Sequence, residues 1–392
     1  MHIAYLIPTI DRIGGAERQL ILLAIGMASR GWRVTVIALR GKGGHAADEL
    51  ALNNVSFVSL EMSHGLVDPH GWIRLRRWII SARPEVLHAH LPQAALMARG
   101  IRLIASVRAL IDTLHSPALG SSARQLGYRI TSRIPDSVTA VSHSCARPWL
   151  GARVVDPSSL AVIPNGIDTT FWKPGHEPQG GERSPSTSTH GFHWLAVGRL
   201  HAVKDYATLL HAFAMLPQSA RLTIAGSGPL EHTLRLQAKE LNVQDRVQFL
   251  GFQNDVRQLM QSADALVLSS RWEGLPLALM EACACQLPAV FTETTGSREL
   301  LPGSSLPIAP VGDPVALAGA MNTLMNLSLP ERRELGLQAR LQIIAGFDLA
   351  SVVDRYEILY CRLLEANPRP SRTRIQSGSP RRAPVCPSNQ ET

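Results

Sequence analysis

No apolar run in this chain approaches the roughly 20 residues that a bilayer-spanning helix requires. The longest, Leu20 to Ala28, already contains Gly26, so no segment is expected to span a membrane. The start of the chain lacks a basic region and a small-residue cleavage site. Met1-His2-Ile3-Ala4-Tyr5-Leu6-Ile7-Pro8 therefore reads as a buried strand rather than a secretory leader, and the expected location is the cytoplasm. Cysteine is scarce, and Cys145, Cys283, Cys285, Cys361 and Cys386 form no CxxC pair and no disulfide-dense pattern. Cys283 and Cys285 fall two apart on different faces of an expected helix, which argues against a shared zinc and for buried or idle thiols. Charged residues make up only 18% of the chain against 45% hydrophobic, a balance that excludes disorder of the whole.

With 392 residues, two domains of about 150 to 200 each are the default. The formal charge of +8 suggests a polyanionic partner at first sight. Half of it sits beyond Ala366, where Arg369, Arg372, Arg374, Arg381 and Arg382 stand against Glu391 among many Pro and Ser residues. That stretch, 366–392, reads as a disordered basic tail, and no nucleic-acid partner is expected.

Short apolar strands alternate with helical stretches twice over. The first half runs through expected strands His2 to Pro8, Arg33 to Leu39, Ser56 to Leu60, Val86 to His90, Leu103 to Val107 and Ser137 to Val141, with helices at Ala16 to Arg30, Trp72 to Ala82 and Ala94 to Gly100. The pattern stops over 172–190, a Gly-, Pro- and Ser-rich stretch of linker composition. It restarts with Phe192 to Val197 and ends in a helix, Leu349 to Leu364. The expected class is α/β: two doubly wound, Rossmann-like domains with parallel sheets, 1–171 and 191–347, facing a cleft, followed by a C-terminal helix over 348–365 that returns to the first domain. Ligands in such folds bind beyond the carboxyl ends of the strands.

Three stretches there carry candidate chemistry. Ser269 to Ala282 follows a strand and opens a helix with Pro276 near its first turn, so the amides of Gly274 and Leu275 would offer a phosphate site. Glu281, about 8 Å further along the axis, could accept two sugar hydroxyls, with Glu273 ahead of the helix at the ligand's other end. On spacing alone, an N-terminal charge favouring the helix dipole and an exposed Glu explain the two carboxylates equally well. Gly198-Arg199-Leu200 through Lys204-Asp205 places two cations after a strand, where they could neutralise a diphosphate without a metal, although an ordinary solvated loop looks the same. Asp11 to Arg18 sets Gly14 and Gly15 before a helix, allowing close backbone approach. The turn Ala225-Gly226-Ser227-Gly228 lacks the third glycine of a dinucleotide fingerprint and reads as a tight strand-to-helix turn. His88 and His90 share a strand face without an evident third ligand for a metal.

Taken together these residues resemble the GT-B glycosyltransferases, specifically the retaining family 4. Glu273 and Glu281 resemble its E-x7-E motif. Gly198-Arg199-Leu200, Lys204-Asp205, Ala225 to Leu230, Phe249-Leu250-Gly251 and Ala263-Asp264 follow in the family's order, Gly14-Gly15-Ala16-Glu17 resembles its N-terminal glycine loop, and Pro164 to Asp168 its interdomain segment. The likeness covers about residues 1 to 365. It implies a hexosyltransferase-type enzyme that moves a sugar from a nucleotide-sugar to a glycan or lipid-linked acceptor in cell-surface polysaccharide or lipopolysaccharide assembly. The alternatives are a sugar-nucleotide 2-epimerase of the same fold and a catalytically silent sugar-nucleotide-binding module.

Arg199 and Lys204 would then bind the diphosphate, Glu281 the ribose and Glu273 the sugar hydroxyls, with Gly274, Leu275, Gly14 and Gly15 completing the donor site. Glu273, Arg199 and Lys204 would be catalytic, with neither metal nor cofactor. Many relatives place a histidine after the strand that here reads Ile104 to Arg108. This chain has Arg108 there, with His115 seven residues on, so Arg108 or His115 is the expected sugar contact. Trp72 to Ile80 combines Trp and Arg at helical spacing, as a helix at an anionic membrane surface would. A solvated helix with Ile and Leu inward is the plainer reading.

Overall fold

The computed structural model describes residues 1–11, 13–63, 65–175 and 191–368. Most of the 172–190 linker and of the 366–392 tail lies outside them. The chain forms two compact units, one of Met1–Gly166 together with the segment from Leu349 on, the other of Ile167–Asp348. The division falls after Gly166, ahead of the Gly- and Pro-rich stretch, because the residues that follow are tied into the second unit. Thr169 donates to Asp348 at 2.7 Å, and the Trp172 carbonyl accepts from Arg340 at 3.1 Å.

In chain order the first unit contributes β1 (His2–Ile7), α1 (Gly15–Ser29), β2 (Arg33–Ala38), α2 (Gly44–Leu52), β3 (Ser56–Ser59), α3 (Pro69–Ala82), β4 (Val86–His90), α4 (Pro92–Arg102), β5 (Ala109–Leu114), α5 (Ser122–Ile130), β6 (Ser137–Ala140), α6 (His143–Gly151) and β7 (Leu160–Val162). The second contributes β8 (His193–Val197), α7 (Tyr206–Ala214), β9 (Arg221–Ala225), α8 (Glu231–Glu240), β10 (Val247–Gly251), α9 (Arg257–Ser262), β11 (Ala265–Leu268), α10 (Leu277–Ala284), β12 (Ala289–Thr292), α11 (Thr295–Leu300), β13 (Ile308–Ala309), α12 (Pro314–Asn326) and α13 (Leu329–Phe347). The last helix, α14 (Leu349–Ala366), belongs to the first unit again.

Both sheets are parallel, in the orders β3-β2-β1-β4-β5-β6-β7 and β10-β9-β8-β11-β12-β13. The order therefore reverses between β1 and β4 in one and between β8 and β11 in the other. Such reversals open a crevice at the carboxyl ends of the strands. Strands covered on both faces must be apolar throughout, as β1 is, buried at all six positions. Helix α14 completes the first core: Val352, Val353, Tyr356, Tyr360 and Leu364 join Leu20, Leu23 and Met27 of α1. The crossing is close because Gly26 has no side chain, and a Cβ there would come within 2.6 Å of Val353.

One strand differs from the expectation. Leu103 to Val107 is not a strand, for Leu103 is 72% exposed and Ile104 52%, and α4 runs on to Arg102. The strand is β5, whose Asp112 and Thr113 break the apolar pattern in sequence but are buried in fact. Asp112 survives there because Arg99 of α4 donates to it at 2.6 Å, with both side chains fully buried.

Candidate functional site

In the second unit the loops that follow β8 and β11, on either side of the reversal, are joined by four bonds. Ser269 Oγ donates to the Lys204 carbonyl at 2.8 Å and the Arg271 amide to the Val203 carbonyl at 2.8 Å. Arg271 Nε donates to Asp205 Oδ2 at 3.0 Å, and Lys204 Nζ to Glu273 Oε1 at 2.6 Å. Asp205 is held in a left-handed conformation, φ +48°, with its buried carboxylate also accepting from Thr208 Oγ1 at 2.9 Å. That geometry costs of order 1 kcal/mol for a non-glycine residue, and the two bonds to its carboxylate hold it in place.

Lys204 and Glu273 are thus brought together across 69 positions of chain. Their side chains are 22% and 12% exposed, and Ser270 Oγ donates to the same carboxylate oxygen at 2.6 Å. Arg199 stands on the loop after β8, exposed, and its guanidinium meets no hydrogen-bond or ion-pair partner among the described residues. Between them the loop is braced from below: Tyr206 OH donates to the Gly198 carbonyl at 3.1 Å. Burial, with the Glu273 charge adding, pushes that phenol up from its ordinary range, so it stays a donor.

The turn after β9 serves this loop rather than a dinucleotide. The Leu200 amide donates to the Ser227 carbonyl at 3.0 Å, and the Leu230 amide to the Leu200 carbonyl at 3.2 Å. Gly226, at φ +154°, lies so close that a Cβ would run into the Gly198 carbonyl. The glycines allow one backbone to lie on another.

Helix α10 begins later than expected. Pro276 is its N-cap, φ −77° and ψ 99°, and the helix proper starts at Leu277. Gly274 and Leu275 precede it, and its first-turn amides are those of Leu277 and Ala278, which corrects the assignment of that turn to Gly274 and Leu275. The Gly274 segment is instead braced by α11, where a Cβ on Gly296 would stand 2.5 Å from the Glu273 carbonyl and 2.8 Å from that of Gly274. Glu281 lies partly buried on the second turn of α10. Burial, with the Glu281 carboxylate adding, pushes the Cys285 thiol up to about 12, and burial does the same for Cys283. Both are protonated thiols at pH 7.

In the first unit, Gly14 is the N-cap of α1 and Gly15 its first residue; the Gly14 amide donates to Glu17 Oε2 at 3.0 Å. Arg108 is not a candidate sugar contact. It precedes β5, and its guanidinium donates to the carbonyls of Leu364 and Asn367 at 2.7 and 3.0 Å, capping the end of α14. Because the strand is β5 and not 103–107, the residue that follows it is His115. His115 Nε2 lies 2.9 Å from His90 Nδ1. Burial holds His115 down to about 4 and His88 to about 3, so both rings are neutral at pH 7. Among the described residues no group of three His, Cys, Asp or Glu side chains could hold a metal ion.

Helix α3 turns Leu75 and Ile79 inward. Trp72 donates its indole N–H to the Leu66 carbonyl at 2.8 Å, and Trp78 meets the His2 ring edge-on at 5.7 Å. Ile73, Arg74, Arg76, Arg77 and Ile80 face out. No helix among the described residues is long and apolar enough to cross a membrane.

Two parallel doubly wound units, one carrying cations and paired carboxylates at its strand reversal, are the GT-B glycosyltransferase architecture. The family model for glycosyl transferases group 1 matches residues 187–342 and that for glycosyltransferase family 4 matches 13–171. The chain belongs to the family 4 GT-B glycosyltransferases. It is 24% identical over 312 residues to the UDP-Gal:alpha-D-GlcNAc-diphosphoundecaprenol alpha-1,3-galactosyltransferase of Escherichia coli, 75% of this chain and 79% of that one. It is 29% identical over 293 residues to the N-acetyl-alpha-D-glucosaminyl L-malate synthase of Bacillus anthracis, covering 71% and 75%. Among solved structures it is similar to HepE of Anabaena in complex with UDP and glucose, with a TM-score of 0.79, 22% identity, and 92% and 100% of the two chains covered.

Proposed function

We propose that this glycosyltransferase moves a hexose from a nucleoside diphosphate donor to a glycan or lipid-linked acceptor of the cell surface, with retention of anomeric configuration. The observation that carries the reading is the contact of Lys204 with Glu273, on a loop that also bears the exposed Arg199. A buried carboxylate needs a cation or hydrogen bonds until a ligand arrives. An incoming diphosphate competes for Lys204 and is gripped by Arg199, which frees Glu273 to accept from the sugar's hydroxyls. Glu281 takes the ribose hydroxyls and the first-turn amides of α10 face the phosphates, while Gly14, Gly15 and His115 are the donor-contact residues of the first unit.

As the anomeric carbon to oxygen bond breaks, electrons pass to the leaving phosphate. A phosphate oxygen draws the acceptor hydroxyl's proton on the same face while the new glycosidic bond forms there. No side chain acts as nucleophile, and the two cations carry the charge that a divalent ion would otherwise meet, so EDTA is expected to leave turnover intact.

Thermal shift against a panel of sugar nucleotides identifies the donor, since a ligand at 100 times its dissociation constant adds about 2.7 kcal/mol. NMR of the products then decides: an anomerically retained product supports transfer. Free 2-epimerised sugar supports an epimerase, and no turnover supports a silent module. For the acceptor side we place the enzyme in the cytoplasm, at the inner face of the membrane, with Arg77, Ile73 and Ile80 touching anionic headgroups. Co-sedimentation with anionic vesicles that high salt abolishes is the expected result; none at low salt removes the contact.

A further inference from the structure

Behind His115 lies a chain of neutral, buried hydrogen-bonding groups that the reaction as proposed leaves unused. Its direction follows from one fixed end. The Asp112 carbonyl can only accept, and Thr139 Oγ1 donates to it at 3.3 Å. Either hydroxyl of the 2.6 Å Thr113–Thr139 pair can donate; with the single proton of Thr139 on the Asp112 carbonyl, Thr113 donates to Thr139, which also meets Tyr356 OH at 3.5 Å. His88 Nε2, 2.6 Å from Thr113, must then carry its proton and donate. Tyr360 donates to His88 Nδ1 at 2.7 Å, and Tyr5 to Tyr360 at 3.2 Å. Every member is buried, and each is used with one consistent polarity.

His90 lies against this chain, its ring 4.3 Å from that of His88, 5.8 Å from Tyr5 and 5.1 Å from His115. It is 2% exposed, and its Nε2 has no partner among the described residues. Among the described residues its ring makes one hydrogen bond, the 2.9 Å contact of Nδ1 with His115 Nε2. Two neutral imidazoles share that contact, so one nitrogen donates and the other accepts. If His90 accepted, its own proton would sit on Nε2, a buried N–H with nothing to receive it, which folded proteins avoid more strictly than an unmet lone pair.

We propose that His90 is a positioning residue for His115: its Nδ1–H donates to His115 Nε2, which leaves the single proton of His115 on Nδ1, as a donor for an oxygen of the donor sugar. This rests on the reading of His115 as a sugar contact. The arrangement makes the ring an unconditional donor, suited to a hydroxyl or ring oxygen and unsuited to taking up a proton.

Long-range proton–nitrogen correlation spectra of the full chain labelled with ¹⁵N-histidine report each ring's tautomer without any ligand. The expected pattern is Nδ1–H on His90 and His115 and Nε2–H on His88. A proton on Nε2 of His115 in the unsubstituted protein overturns the proposal. His90→Ala should let His115 exchange between tautomers and lower turnover about tenfold, one transition-state hydrogen bond, with the donor's KM little changed. The donor assayed is the sugar nucleotide that stabilises the protein most. His90→Asn, whose amide N–H replaces Nδ1–H, should restore the His115 tautomer and most of the turnover. If Asn were as damaging as Ala, His90 would be packing alone. Should His115→Ala keep full turnover while the tautomers are as described, the sugar-contact reading falls and the hydrogen-bond assignment stands.

Discussion

The carboxyl ends of the two sheets are furnished differently. In the second unit they carry formal charges, with Arg199 exposed, Lys204 against Glu273, and Arg271 against Asp205. In the first, β4 and β5 carry neutral rings and hydroxyls, His88, His90 and His115 with Tyr360 and Thr113. A charged site has to be neutralised while it waits, and here the protein supplies its own temporary partner for each buried carboxylate. A neutral network needs no counter-charge, but every proton in it has to point the right way. One end is suited to a diphosphate, the other to an uncharged sugar.

The contrast breaks most visibly at Lys204. Lys204→Ala leaves Glu273, 12% exposed, with Ser270 as its remaining partner of the two. Turnover should fall by about 10² to 10³, as for loss of a preorganised electrostatic group, and the melting temperature should fall with it. Glu273→Gln keeps the size of the side chain and should spare donor affinity while depressing turnover. If both variants worked like the parent protein, the paired site would not be the donor site.

The next effect is a split between stability and binding. Arg199→Ala removes an exposed guanidinium with no partner among the described residues, so unfolding free energy should change by no more than about 0.5 kcal/mol. Calorimetric titration with the donor should still show a roughly tenfold loss, the size of a charge-assisted bond. Glu281→Ala should also weaken nucleotide binding. A binding-neutral Arg199 variant would leave the charged end without its first contact.

A pH profile tests the neutral end. Histidine in an unfolded chain titrates near 6.5, whereas burial holds His115 at about 4 and His88 at about 3. On acidification the unfolded chain therefore binds protons first. The stability these rings contribute is whole above pH 6.5, falls from there downward, and is lost for His115 through about pH 4. Thermal melts between pH 7 and 5, above the carboxylate range, should show this decline, and His115→Asn should make it shallower. A flat profile would mean the rings are not held neutral.

Strands rich in buried apolar residues, such as Ala265–Leu268 and Ala289–Thr292, were legible as written, because burial on both faces leaves little room for alternation. β5 was not, since Asp112 looks like a turn residue until Arg99 is placed beside it. The same slip made Arg108 look like the residue after the strand. Helix α6 was masked by its internal Pro148, and α13, whose apolar residues follow no clear stripe, gave no periodic signal. At the site, Arg199, Lys204 and Glu273 could be named from loop position. That Lys204 and Glu273 neutralise one another could not, for they are 69 residues apart and only the β8 to β11 neighbourhood joins them.

The return of α14 to the first core makes the second unit a guest sequence lodged within a host. The chain leaves the host at Gly166 and re-enters at Leu349, where a Cβ on Gly166 would stand only 3.0 Å from the Leu349 Cα. Cutting after 166 would therefore strip the host of Val352, Val353, Tyr356 and Tyr360. Splicing 166 to 349 through a minimal bridge would excise the guest and leave the host's interior whole.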